Sequence, residues 1–443
     1  MSMLIQQQVC GGAPDPSQPS EAEGLGIQDR MQRSGSPTRS SQSPKDIVKD
    51  HNLSKEDVAL IRNSPKHIVC VDMLREGYHA SFSELFALIQ KWNASREAAG
   101  PGSAIWQHRP LEEQPSKLHE LRRFLTRAEA AQRAGLYEEV YENQVALAHY
   151  FKDPEDIWLS HYFYEAGLKS ARLVASDEGR REAEANGNMG DVCMERGDLE
   201  AARDHYEAFH RLSASKAWLD ATGRSYAARA CEGLWKTYTL LAEKMLADKD
   251  YESAIGTLVN AFVMAQEAGN KKIEGEAAYR VGLGYQCVGD HPTARSYLHI
   301  YMEISSALGD HESLGKAYKA IAQSLESEGK FGELTEFLEK FVKVSSGNSQ
   351  NRNLVEACMY LGVIYRSRGE YDKGCTYLQR AYDIGCGLND LPLLQKVQVH
   401  LGSARAHHMM MAYSRHVEEA QPLDVRKLLA WKDSRSNDFY SAD

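Results

Sequence analysis

Few residues in this 443-residue sequence have the types and spacing that chemistry needs. His407 and His408, followed by Met409, Met410 and Met411, are the candidates for a soft-metal site. Neighbouring residues on a helix point about 100° apart, so adjacent histidines chelate poorly, and methionines at that density usually fill irregular core space. Cysteines stand at 10, 70, 193, 231, 287, 358, 375 and 386, with no C-x-x-C pair and no histidine at ligand spacing. That pattern predicts free thiols and no bound metal. Val281-Gly282-Leu283-Gly284 holds a Gly-x-Gly, but inside a helical pattern rather than after a strand. Neither a phosphate-binding Gly-x-x-x-x-Gly-Lys-Ser/Thr loop nor a Gly-x-Ser-x-Gly elbow occurs. The expectation is therefore no catalytic set and no cofactor.

Charge narrows the partners. The formal net charge is −10, which argues against a general nucleic-acid binder. No apolar run approaches the ~20 residues that span a bilayer, and Met1 to Cys10 lacks a basic start, so a soluble, intracellular protein is expected. Lys316, Lys319, Arg366 and Lys396 recur at spacings that could face one groove, interleaved with Glu184, Glu276, Glu326 and Glu356. These four basic residues are the candidate partner-binding strip for an acidic peptide. The competing reading is a solvated mixed-charge face.

The elements that would carry such a groove follow from an internal period. Small residues at Gly282, Ala322, Gly362 and Gly402 are 40 apart, and turn glycines at 289, 329 and 369 share that spacing. Leu361-Gly362-Val363-Ile364-Tyr365 repeats the sense of Val281-Gly282-Leu283-Gly284-Tyr285. Upstream, Met189-Gly190 precedes the turn Gly197-Asp198 and then Ala202 and Tyr206. The next copy turns at Lys249-Asp250-Tyr251 and continues to Ala254, a spacing stretched to 52 that implies an extended helix over about 227–246. A period of this kind, with almost no proline in the helices, is the signature of stacked helical hairpins. It resembles the tetratricopeptide repeat, and the resemblance implies an all-α, right-handed α-solenoid.

In that arrangement Gly190, Gly282, Ala322, Gly362 and Gly402 let two helices approach, Tyr285, Leu361 and Tyr365 pack beside them, and the turn glycines take left-handed backbone. Six residues beyond the commonest 34-residue unit are expected in longer connections between units, such as Glu267 to Asn270 and Ala307 to Asp310. Chaperone-binding members of the fold clamp a carboxylate with a Lys/Asn/Arg set. Lys319 matches one member, but Gln323 and Tyr360 stand in Asn positions, which speaks against that role.

Outside the array, residues 1–45 hold 8 Ser, 7 Gln, 5 Gly and 5 Pro and read as a disordered tail. Short N-terminal helices are expected over 46–95, with starts at Ser54 and at Ser64-Pro65 and a turn around Gly77. A Pro- and Gly-rich linker is expected over 96–116, the solenoid over 117–414, and a capping helix with a tail over 415–443. Two Ser-Pro pairs, at 36–37 and 43–44, read as ordinary tail chemistry.

Several segments are more specific than the repeat lattice. They are Cys70 to His79 with Glu84 to Leu88, Pro110 to Pro115, His205 to His210 and Leu428 to Lys432. Together they resemble the tetratricopeptide-repeat proteins of motile cilia and sperm flagella over about residues 46–435. The resemblance implies an axonemal scaffold in the cytoplasm and cytoskeleton. Its implied partners are inner-arm dynein subunits and a companion with a MYND-type zinc finger, with a microtubule contact nearby. A cytoplasmic dynein-assembly factor or cochaperone is the alternative.

Overall fold

A computed structural model describes residues 62–346, 351–419 and 421–434. The expected disordered tail and the helix start at Ser54 lie outside the described residues. The chain divides into two compact units, Met1–Ala185 and Asn186–Asp443. The expected single solenoid over 117–414 thus straddles the division, which falls inside a helix.

The first unit is built on α1 (Pro65–Arg75), α2 (His79–Ala99), the short α3 (Ala104–Gln107), α4 (Pro115–Arg133), α5 (Tyr137–Tyr150) and α6 (Ile157–Ala171). Pro65 occupies the first position of α1, and the Ser64 hydroxyl accepts from the His67 N–H at 3.2 Å. Gly77 then turns the chain with φ +83°. Met73, Leu85, Ile89, Leu118, Leu121, Phe151 and Phe163 form a buried apolar core, with Trp92 stacked on Trp158 at 5.9 Å. Glu129 of α4 sits buried against the start of α2, accepting from the Ser81 N–H at 2.8 Å and the Ser81 hydroxyl at 2.6 Å. Burial alone would push this carboxyl up; the Ser81 donors, the Ala80 N–H and Arg133 outweigh it and hold it below the usual range.

Residues 96–116 are not a bare linker. A 3₁₀ turn at Leu111–Glu113 inserts Leu111 into the core at 3% exposure, and Lys66 pairs with Glu112 at 2.6 Å. The prolines and glycines break helical runs there, but they do not prevent one apolar side chain from anchoring the crossing.

The second unit begins within α7 (Arg180–Arg196) and continues through α8 (Leu199–Ser213), α9 (Tyr226–Ala247), α10 (Tyr251–Glu267), α11 (Lys271–Cys287), α12 (His291–Ala307), α13 (His311–Ser327), α14 (Phe331–Ser346), α15 (Asn351–Ser367), α16 (Tyr371–Gly385), α17 (Leu391–Glu419) and α18 (Pro422–Ser434). Consecutive helices pack as hairpins, and first helices also touch their successors, α11 to α13, α13 to α15 and α15 to α17. The turns carry one local rule. A glycine with positive φ, as at Gly197, Gly289 and Gly309, ends one helix, and the next residue caps the following one. Asp290 accepts from the Thr293 N–H at 3.2 Å and Asp310 from the Ser313 N–H at 3.1 Å. Lys249 takes the glycine's place at φ +65°.

The long repeat is not made by long connections. Helices α11, α12, α13 and α15 have 17 residues each, while Ala268-Gly269-Asn270 and Leu308-Gly309-Asp310 are as short as the turns within hairpins. The extra residues lengthen helices, where each added turn buries more side chain. At the 52-residue interval both devices operate: α9 reaches 22 residues, as expected, and an irregular loop over 214–225 precedes it.

Close approach at small residues is visible directly. A Cβ on Gly190 would lie 2.7 Å from the Tyr206 ring, and one on Gly282 would meet Leu298 at 2.7 Å and the Ala294 carbonyl at 3.2 Å. Gly362 faces Leu378 and, at 3.0 Å, the Gly374 carbonyl. Ala322 and Leu361 are buried, Tyr285 stacks on Tyr297 at 5.9 Å, and Tyr365 stacks on Tyr377 at 5.7 Å. Gly402 is a correction: it is exposed, with nothing within 4 Å of a built Cβ. Its hairpin partner would have to start after a turn near 409, but α17 runs on unbroken to Glu419 because His-Met-Met replaces the Gly-acid turn. The expected boundary at 414 is for the same reason interior to a helix.

Gly362→Ala is expected to cost about 1–3 kcal/mol through overpacking, whereas Gly402→Ala is expected to add about 0.5–1 kcal/mol by restricting the unfolded chain. Urea unfolding of the two variants distinguishes them; equal effects would refute the assigned register.

Candidate protein-interaction surface

The first helices of successive hairpins present the face on which the expected basic strip lies, and three of its four side chains, Lys316, Lys319 and Arg366, are already engaged. Lys316 pairs with Glu312 at 2.8 Å within α13, and hydrogen bonding to that carboxylate raises the ammonium's pKa. Lys319 lies 3.8 Å from Glu356 on α15. Arg366 donates to the Ser403 hydroxyl of α17 at 2.8 Å. Lys396 is exposed on α17. Of the interleaved glutamates, Glu276 pairs with Arg280 at 3.5 Å, Glu326 accepts from the Tyr360 hydroxyl, and Glu184 belongs to the first unit. The structure therefore shows a mixed-charge face, with Lys316 and Lys319 paired to glutamates, Arg366 on a serine hydroxyl and Lys396 exposed, rather than a row of unopposed cations.

Other polar contacts act between repeats. Arg229 of α9 reaches Asp191 of α7 at 2.6 Å, Arg280 of α11 pairs with Glu243 of α9, and Gln286 donates to the Ala320 carbonyl and the Ser324 hydroxyl of α13, both at 2.7 Å. Burial, followed by the Glu326 carboxylate, drives the Tyr360 hydroxyl well above the phenol range, so it remains a donor. Such pairs orient neighbouring first helices more than they stabilise them, because exposed ion pairs contribute little.

The segment around Leu428, Leu429 and Trp431 reads from sequence as a cap on the array or a docking segment, with capping favoured; the apolar residues exposed with it at the C-terminal end of the second unit were missed. Val399, Met410, Tyr413, Val417, Leu423 and Leu429 are each more than a third exposed. Helix α18 folds back on α17 through His416 and Asp424 at 2.6 Å and through Tyr413 against Trp431 at 6.0 Å, yet Leu429 stays 54% exposed. The missing Gly-acid turn near 409 was the available signal. The two candidate metal histidines part company: the His407 ring bonds the Ser403 carbonyl at 2.7 Å, and His408 meets Asp372 at 2.8 Å. Burial pushes the Cys358 thiol up to about 11, so it is no ready nucleophile.

The repeat face is held by cross-repeat pairs and the second unit ends in exposed apolar side chains. Comparison with known proteins adds the family. The human tetratricopeptide repeat protein 29 is 46% identical over 385 residues, covering 87% of this chain and 81% of that protein. The chain belongs to the tetratricopeptide repeat protein 29 family. The mouse member is 46% identical over 388 residues, covering 88% of this chain and 82% of that protein. A Trypanosoma brucei brucei member of the tetratricopeptide repeat protein 29 family is 24% identical, covering 79% and 69%. No family model matches. Among solved structures, a signal-transduction ATPase with a tetratricopeptide repeat sensor from Pyrococcus horikoshii is 16% identical, with a TM-score of 0.38 over 79% of this chain and 50% of that one. As a tetratricopeptide repeat protein, the chain acts in protein interaction.

Tyr360→Phe removes a donor to a carboxylate and is expected to cost about 1.5–3 kcal/mol. Lys319→Ala is expected to cost under about 1 kcal/mol. Thermal or urea unfolding compares them, and a larger loss for Lys319→Ala would show that the basic residues, not the Tyr360 contact, tie the repeats.

Proposed function

We propose that the protein is a non-catalytic scaffold of the axoneme that attaches or positions an inner-arm dynein in motile cilia and sperm flagella. Shape and surface complementarity do the work, with no turnover and no cofactor. The reading rests on one observation above others: the 46% identity spans 385 residues, more than the repeat region over 117–414, so the match is not confined to the repeats. The paired charges between repeats support it, since a face that is internally satisfied binds through contour and apolar contacts rather than through a terminal carboxylate clamp. Inner-arm dynein subunits are the partners proposed, together with a companion carrying a MYND-type zinc finger and a nearby microtubule contact. Residence in the cytoplasm, cytoskeleton and axoneme goes with that reading.

Fractionation of motile cilia or sperm flagella tests it. The expected outcome is that the protein survives detergent extraction and leaves with a dynein heavy chain in high salt. Complete release by detergent, or absence from the organelle, would replace the scaffold with a cytoplasmic dynein-assembly factor or cochaperone.

A further inference from the structure

Three helices of the second unit bring different ligand chemistries to one point. His210 stands in the last turn of α8, Cys231 in the second turn of α9, and Glu267 is the final residue of α10. The His210 Nε2 lies 3.1 Å from the Glu267 Oε2, the Cys231 sulfur lies 3.8 Å from the same oxygen, and all three ligand atoms fall within 4.8 Å of one another. The cluster is invisible in the sequence because its outer members are 57 residues apart. Antiparallel packing is what joins them: the end of α8, the start of α9 and the end of α10 meet at one edge.

We infer that His210, Cys231 and Glu267 form a binding site for a divalent ion of borderline softness, zinc above all. An imidazole, a thiolate and a carboxylate are the ligand types zinc takes, whereas calcium and magnesium prefer oxygen alone. With Zn–N about 2.0–2.1 Å and Zn–S about 2.3 Å, tetrahedral ligand atoms stand roughly 3.2–3.8 Å apart. The two separations to the Glu267 oxygen, 3.1 and 3.8 Å, lie at the edges of that range, so the ligand atoms stand close to a tetrahedral arrangement. Two of the three side chains lie at helix C-termini, whose dipoles favour a cation. Cys231 is 2% exposed, while His210 and Glu267 reach solvent and give the ion a way in. On binding, the metal–sulfur bond forms as the S–H proton leaves to solvent. Three protein ligands leave a fourth position for water or for a side chain of a partner.

The location gives the ion a role. The loop over 214–225, where the repeat spacing is broken, joins α8 to α9. A metal held by α8, α9 and α10 clips the array across that irregular junction.

Cobalt(II) titration of the full chain tests the site. One equivalent is expected to produce a thiolate-to-cobalt charge-transfer band, absent in Cys231→Ser and retained in Cys386→Ser, which alters an exposed thiol. Losing an outer-shell partner alone costs roughly 10–100-fold in affinity, so His210→Gln is expected to weaken cobalt binding by at least about 100-fold. Zinc is expected to raise the melting temperature of the unaltered chain and not that of His210→Gln, which keeps the proposal open to refutation if Cys231→Ser misfolds. Absence of the band, or equal cobalt affinity in His210→Gln, would overturn it.

Discussion

The second unit depends on one steric constraint: where a bulky side chain of one helix crosses its neighbour, the neighbour must have almost no side chain. Tyr206 of α8 is the clearest case. Its ring lies between two glycines, 2.7 Å from a Cβ built on Gly190 of α7 and 2.5 Å from one built on Gly233 of α9. The tyrosine hydroxyl donates to Asp191 at 2.5 Å, and Arg229 of α9 holds that same carboxylate. One ring thus sets the spacing of three helices, and one carboxylate fixes their register. Gly282 against Leu298 and Gly362 against Leu378 repeat the steric half of this device.

Everything regular in the array follows from that contact and from the turns that return it. A three-residue Gly-acid turn ends one helix with a left-handed residue and starts the next with a side-chain cap. Longer units are reached by lengthening helices, which adds buried side chain without adding loop entropy. Where the turn signal fails, as at 409, the helix continues, and the apolar residues that a next hairpin would cover stay exposed.

Much of this was readable from residue types alone. Small residues every 40 positions and glycines at the turns located Gly190, Gly282, Ala322 and Gly362 because steric exclusion acts locally and recurs. Gly402 carried the same spacing without its partner helix, and spacing alone says nothing about whether that partner exists. Gly233 escaped notice because it stands outside the lattice, in the extended α9. The basic strip of Lys316, Lys319, Arg366 and Lys396 was read from positions on helices, but what faces Lys319 and Arg366, Glu356 and Ser403, comes from neighbouring first helices that spacing does not register. His210, Cys231 and Glu267 lie on three helices with no common spacing, so only packing brings them together. A face whose charges are satisfied internally, ending in exposed apolar side chains, suits a protein that holds others in place.

The steric claim is tested most directly by a double-mutant cycle between Gly233→Ala and Tyr206→Ala, read by urea unfolding. The account predicts that Gly233→Ala destabilises the chain by about 1–3 kcal/mol when Tyr206 is present. In the Tyr206→Ala background the same change should be neutral or slightly stabilising, a coupling of at least about 1 kcal/mol. Additive effects would mean that the ring does not occupy the space the glycines leave, and the constraint on which the repeat packing rests would be wrong.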